Sequence, residues 1–399
     1  MKKIGAILVL AAMLSGLSGC EKSRVPYDVE QSTSFDGQTA VESQTTEPQT
    51  IEEITTEQPV TIKTLEDRAY EILDNMTLEE KVGQMFIARC PKENGEMLAN
   101  KYHLGGYILF GRDFKNKSIE EVKDDIISYK NAAKIPMLIG VDEEGGIVNR
   151  VSSYSQFREE PFKSPQTLYA EGGMERISSD TVEKCDLLHS IGINMNFAPV
   201  ADVSVDSSDF IYERTFGKDS EATAKYVSKV ISIMNQKNMI GVLKHFPGYG
   251  DNEDTHTGIV YDERSYDSFL NSDFLPFEAG IDAGADVVMV AHNIVYCMDD
   301  IYPASLSLKV HKILREELGF EGVIITDELS MDGVKNFAED ERIAVLAVQA
   351  GNDLLCCTEF ETQIQAVIKA VENGEITEER INESVFRIIL LKLKRGIIQ

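Results

Sequence analysis

Ionisable side chains gather at four places where an apolar run of this chain stops. Met137-Leu138-Ile139-Gly140-Val141 leads into Asp142-Glu143-Glu144-Gly145-Gly146, with Arg150 eight residues beyond Asp142. Gly241-Val242-Leu243 leads into Lys244-His245 and then a Phe246-Pro247-Gly248-Tyr249-Gly250 loop that closes on Asp254-Thr255-His256. Val287-Val288-Met289-Val290 ends at Ala291-His292-Asn293, and Val323-Ile324-Ile325 runs into Thr326-Asp327-Glu328. A buried charge is costly unless it is paired, so four strand-like runs that each end on titratable groups are hard to explain by packing. The residue types allow a carboxylate nucleophile or base working beside a separate proton donor.

Taken singly, these residues have plainer readings. Asp327 suits a helix N-cap, Asp142 suits the anchor of the glycine turn after it, and His292 suits a satisfied interior histidine. The set is far more specific than any member. No Gly-x-Ser-x-Gly elbow and no Walker loop occurs, which sets aside acyl-serine and P-loop chemistry. A metal site on His245, Asp254 and His256 would want more histidines at helical spacing, yet three of the six lie away from these motifs. No metal or cofactor is therefore expected. The logic left standing is that of glycosidic bond cleavage.

Residues placed this way need elements that end on a common face. Eight apolar runs read as strands: Met85–Ala88, Gly106–Phe110, Met137–Val141, Met195–Ala198, Gly241–Leu243, Val287–Val290, Val323–Ile325 and Leu354–Cys357. Amphipathic stretches such as Ala222–Asn235 and Leu308–Leu318 fill most intervals, and this alternation predicts an α/β fold with a parallel sheet. Eight strands over about 335 residues fit a single (β/α)8 TIM barrel with loop insertions, in which all the strand ends named above lie on the C-terminal face. The rival is an open doubly wound sheet, but no Gly-x-Gly-x-x-Gly follows an early strand. Thr77-Leu78-Glu79-Glu80 reads as a capping box, and Arg380–Gln399 as a closing helical pattern that leaves nothing over for a second domain.

Composition sets the frame around that domain. The chain has 399 residues, 43% hydrophobic and 27% charged, as a globular protein should. Met1-Lys2-Lys3 and the apolar Ile4–Leu17 read as a secretory signal over residues 1–19, too short to span a membrane. Leu17-Ser18-Gly19-Cys20 resembles a bacterial lipobox, which implies a lipid on Cys20 and an extracytoplasmic, membrane-anchored protein. Residues 20–62 then read as a disordered tether, with nine acidic against two basic residues after Cys20. Residues 63–399 form the expected catalytic domain. Net charge is −28 with no basic stripe, which disfavours nucleic acid as a partner. The remaining cysteines, Cys90, Cys185, Cys297, Cys356 and Cys357, show no Cys-x-x-Cys spacing and are expected to be buried free thiols.

The motifs together resemble glycoside hydrolase family 3, and within it the bacterial β-N-acetylhexosaminidase branch. Three segments carry the resemblance: Asp142–Gly146 with Arg150, Lys244–Gly248 leading to Asp254-Thr255-His256, and Ile325–Met331. Glu213-Arg214-Thr215-Phe216 is similar to a fourth element, a loop after the fourth strand. The resemblance implies a retaining enzyme acting on a carbohydrate as a monomer, with Asp327 as nucleophile and His256, held by Asp254, as acid/base on a mobile loop. It implies that Asp142, Arg150, Arg214, Lys244 and His245 hold the sugar, with a pocket-shaping role for His292. The implied substrate is terminal β-linked N-acetylglucosamine of peptidoglycan fragments or related chains. The alternatives are a β-glucosidase or β-xylosidase, a phosphorylase using the same intermediate, and a non-catalytic sugar-binding lipoprotein. Three departures from the branch pattern are Tyr249 in place of His, Ile147 in place of Arg, and a stretch from Gly250 to Asp254 one residue shorter.

Overall fold

The computed structural model describes residues 63–255, 257–335 and 337–399. The expected signal, Cys20 and the tether, together with His256, lie outside the described residues. Every expected strand forms. They are β1 (Phe86–Arg89), β2 (Gly106–Leu109), β3 (Leu138–Val141), β4 (Met195–Asn196), β5 (Ile240–Phe246), β6 (Val287–Val290), β7 (Val323–Thr326) and β8 (Leu355–Cys357). Each pairs in parallel with its neighbour in the chain, and β8 returns to β1 with Phe86 opposite Leu355. A parallel bridge between Ile325 and Leu354 joins β7 to β8. The sheet is a (β/α)8 barrel, and the open doubly wound alternative falls away.

The barrel explains the apolar runs. Strands covered by helices outside and by side chains inside are buried on both faces, so they read as continuous rather than alternating hydrophobics. Every residue of β2, β3, β6, β7 and β8 is buried. Helices Ile119–Ala132, Pro165–Ser190, Ser220–Gln236, Phe274–Asp282, Asp340–Ala350 and Phe360–Glu372 follow β2, β3, β4, β5, β7 and β8. The capping box forms as expected: Glu80 N–H donates to Thr77 Oγ1 at 3.3 Å, and Thr77 N–H donates to Glu80 Oε2 at 3.1 Å.

Four local expectations differ. The Leu308–Leu318 pattern is an α-helix only over Leu308–Lys312 and continues as a wider π turn over Ile313–Glu317, where Leu318 N–H reaches the Ile313 carbonyl. The closing helix runs Glu378–Lys394 and stops before Gly396, whose φ of 64° is one that glycine adopts without strain. Cys297 is exposed, unlike the other four described cysteines, which are buried, and none of the five forms a disulfide. Most consequentially, β5 is longer than its apolar run and carries Lys244 and His245 inside the strand. Among the described residues no helix is long and apolar enough to cross a membrane.

Candidate active site

The C-terminal strand ends enclose a cavity of about 430 Å³, lined by Asp142, Arg150, Arg214, Lys244, His245 and Asp327 among others. Volumes of roughly 300–1,000 Å³ are usual for small-molecule sites. Six expected site residues from five different parts of the chain thus face one space. His292 is not among the lining residues.

The acidic triplet after β3 divides into three tasks. Glu144 accepts two bonds from the Arg214 guanidinium, at 2.7 and 3.0 Å, and lies 2.6 Å from Lys244 Nζ. Asp142 takes the other side of the same ammonium at 2.7 Å. Glu143 points away from the charges. Its carboxylate accepts the backbone N–H groups of Arg150, Val151 and Ser152 at 2.8, 2.7 and 3.1 Å, which shapes the loop that presents Arg150. Burial by itself would raise the Glu144 carboxyl, but Lys244 and then Arg214 outweigh it and hold that group well below the usual carboxylate range. Burial pulls the Lys244 ammonium down, and Asp142 and Glu144 more than reverse that. Lys244, Arg214 and Glu144 therefore stay charged in a wall where Lys244 is only 2% exposed.

His245 belongs to a second chain of contacts. Its Nε2 lies 3.3 Å from Arg214 NH2, and a guanidinium can only donate, so Nε2 accepts. The proton then sits on Nδ1, which donates to Asp202 Oδ2 at 2.8 Å. Asp202 also accepts the backbone N–H of His245 at 3.0 Å and of Tyr249 at 2.8 Å. This carboxylate sets the tautomer and orientation of His245 and was not singled out in the sequence. Its only local signal is its place four residues past the Met195–Ala198 run.

Asp327 is held between strands. Its N–H donates to the Val290 carbonyl at 3.0 Å, and its Oδ1 accepts Glu328 N–H at 2.8 Å. Two residues on, Leu329 N–H reaches the Cys356 carbonyl at 3.0 Å. The segment is thereby stitched to β6 on one side and β8 on the other. The next helix begins at Asp332, so Asp327 does not cap it. His292 works from behind: its Nε2 donates to the Glu328 carbonyl at 3.0 Å while Nδ1 bonds Ser305 Oγ at 2.7 Å. It buttresses the Asp327 loop rather than lining the cavity.

Asp254 and Thr255 sit on the loop between β5 and the following helix. That loop is tied down over much of its length. Arg264 NH2 donates to the Gly248 carbonyl at 2.9 Å while its guanidinium pairs with Asp262 and Asp273, and Asn252 Nδ2 bonds Asp262 at 2.7 Å. Arg89, one residue past the Met85–Ala88 run, and Phe110, the last residue of the Gly106–Phe110 run, also reach the cavity and were missed. The Arg89 guanidinium lies 4.5 Å and the Arg150 guanidinium 5.9 Å from the Phe110 ring centre. Of the departures from the resemblance, Tyr249 is buried against His245, whereas Ile147 is 63% exposed and does not line the cavity. Among the described residues no group of three His, Cys, Asp or Glu is placed to hold a metal ion.

Comparisons with known proteins agree in kind. The model of the Glycosyl hydrolase family 3 N terminal domain matches residues 77–391. A beta-hexosaminidase of Xanthomonas campestris is 36% identical over 234 residues, 57% of this chain and 69% of that protein. A beta-hexosaminidase of Haemophilus influenzae is 32% identical over 303 residues, 72% of this chain and 81% of that protein. The solved glycoside hydrolase family 3 beta-N-acetylglucosaminidase of a Paenibacillus species superposes with a TM-score of 0.75 at 31% identity. That match covers 81% of this chain and 63% of the Paenibacillus chain.

Proposed function

The chain belongs to glycosyl hydrolase family 3, and from that membership we propose that it is a retaining exo-β-N-acetylglucosaminidase acting on peptidoglycan fragments or related amino-sugar chains. The observation that carries the reading is the convergence of Asp327 with Asp142, Arg150, Arg214, Lys244 and His245 on one cavity. In the proposed reaction an Asp327 carboxylate oxygen forms a bond to the anomeric carbon while the bond to the leaving oxygen breaks. His256, oriented by Asp254, gives that oxygen its proton. Water then attacks the same carbon, His256 takes the water's proton, and the bond to Asp327 is released. The imidazolium form of His256 gives the leaving oxygen its proton, and the neutral imidazole left behind does not repel an anionic group nearby as a second carboxylate would. The charged wall supplies strong, oriented hydrogen bonds to sugar hydroxyls, with Asp142 accepting and the cations donating.

The test is release of p-nitrophenol from its N-acetyl-β-glucosaminide between pH 5 and 8, roughly the interval over which a histidine switches charge. Activity is expected in the wild type, and Asp327→Asn should lower kcat by about 10³-fold or more, as loss of a nucleophile does. Free sugar rather than sugar 1-phosphate, measured in phosphate buffer, identifies water as the acceptor. No release by the wild type across that range overturns the reading.

A further inference from the structure

We propose that Tyr249 is a positioning residue whose hydroxyl clamps Thr255 and through it limits the freedom of its chain neighbours Asp254 and His256. The proposal rests on the functional reading above only for the roles of Asp254 and His256. The clamp itself is geometric. Tyr249 Oη lies 2.5 Å from Thr255 Oγ1, and both residues are buried, Thr255 completely. The Thr255 carbonyl accepts Gly333 N–H at 2.9 Å, from the segment that follows Asp327. Thr255 is thus gripped from two directions: its side chain by the loop just past β5, its backbone by the helix that begins at Asp332.

Tyr249 is itself well anchored. Its N–H donates to Asp202 at 2.8 Å, and its ring packs edge-on against His245 at 5.2 Å and Phe210 at 5.8 Å between centres. Asp202 therefore orients His245 and Tyr249 together. The sugar-facing wall and the Asp254–His256 pair are coupled through one tyrosine. Burial, with the charge of Asp327 added, pushes the Tyr249 hydroxyl above its ordinary value, so it stays protonated at every physiological pH. Holding Thr255 by both its side chain and its carbonyl restricts the backbone on which Asp254, one peptide bond away, is carried. Gly333 leaves just enough room: a Cβ there would stand 2.8 Å from the Thr255 carbonyl oxygen and 3.0 Å from its Cβ.

Variants at three positions probe the clamp without touching the reacting groups. Tyr249→Phe keeps the ring and the backbone bond to Asp202 and removes only the hydroxyl. It should lower kcat by about 10- to 100-fold, the scale expected for misplacing a catalytic group by an ångström or less, with KM within about 2-fold. Thr255→Val should match it, Thr255→Ser should restore most of the rate, and the Tyr249→Phe/Thr255→Val pair should be no worse than either alone. Gly333→Ala should show the same kcat loss by pushing Thr255 off its seat. Hydrogen exchange of the 254–257 amides provides a readout that needs no activity: it should speed up at least about 10-fold in Tyr249→Phe, as expected if local opening becomes easier. A wild-type rate in Tyr249→Phe, or a double variant that multiplies the two losses, overturns the clamp. Unchanged amide exchange overturns it even if the wild type hydrolyses nothing, an outcome that sinks the functional reading separately.

Discussion

Glu144 holds the cavity wall together at the level of single residues. Among the described residues it is the carboxylate that pairs with both Lys244 and Arg214, and Arg214 in turn holds the acceptor nitrogen of His245. Removing one partner from a buried ionic network leaves uncompensated charge, at a cost of about 3–5 kcal/mol. Glu144→Gln should lose stability on that scale in urea unfolding, and an effect below about 0.5 kcal/mol, ordinary for a surface change, would refute the assignment. The sign with pH follows from the depressed folded-state pKa. The contribution of Glu144 is present above the ordinary carboxylate value of 4.5 and is lost as pH falls below it. Wild-type stability should therefore drop on acidification below that value more steeply than that of Glu144→Gln.

At the scale of elements, the strands were legible and their exact ends were not. An apolar run bounded by turn residues marks a buried strand, so all eight were visible locally. The extra residues of β5 were hidden because Lys244 and His245 interrupt the apolar run. They stay in the strand because Asp142, Glu144 and Asp202 neutralise or bond them there. Strand β3 shows the opposite constraint, a small residue under a large one. A Cβ on Gly140 would come within 2.5 Å of the Phe197 ring, and Phe197 lines the cavity. Gly140→Ala should destabilise by about 1–3 kcal/mol through overpacking. It should also raise KM as the ring is driven toward the substrate space. An unchanged KM in a folded variant would show that the ring yields elsewhere.

At the scale of the whole molecule, the closing helix seals the N-terminal end of the barrel through a buried lysine. Lys392 Nζ donates to Gln84 Oε1 at 2.7 Å and to the Gly105 carbonyl at 3.0 Å, at the feet of β1 and β2. Neither partner carries charge, and burial pulls its pKa down from 10.5 to about 7. Between those values the unfolded chain binds the proton more tightly than the folded one, so stability rises with pH across the window and is level below it. One proton is worth up to about 1.4 kcal/mol per pH unit. The melting temperature should climb from pH 7 toward pH 9, within the interval set by Lys392, and Lys392→Met should flatten that climb. Equal slopes in both proteins would remove Lys392 as the cause.

By itself the sequence determined the eight strands, the helices between them and the residues gathered at the strand ends, because apolar periodicity and turn chemistry are written locally. It also determined the family, since Asp142–Gly146, Lys244–His256 and Ile325–Met331 recur as short contiguous motifs. Only the tertiary structure decided which charge answers which. Lys244 meets Asp142 across 102 positions, Arg214 meets Glu144 across 70, and His245 meets Asp202 across 43. Three adjacent acids cannot be told apart by type or spacing, as neighbouring side chains point to different sides of the chain. Barrel closure brings Asp142 and Glu144 to the cavity and its cations and sends Glu143 to a loop backbone. The partners of His292 were hidden for the same reason: Ser305 and the Glu328 carbonyl come to it only when β6 and β7 lie side by side.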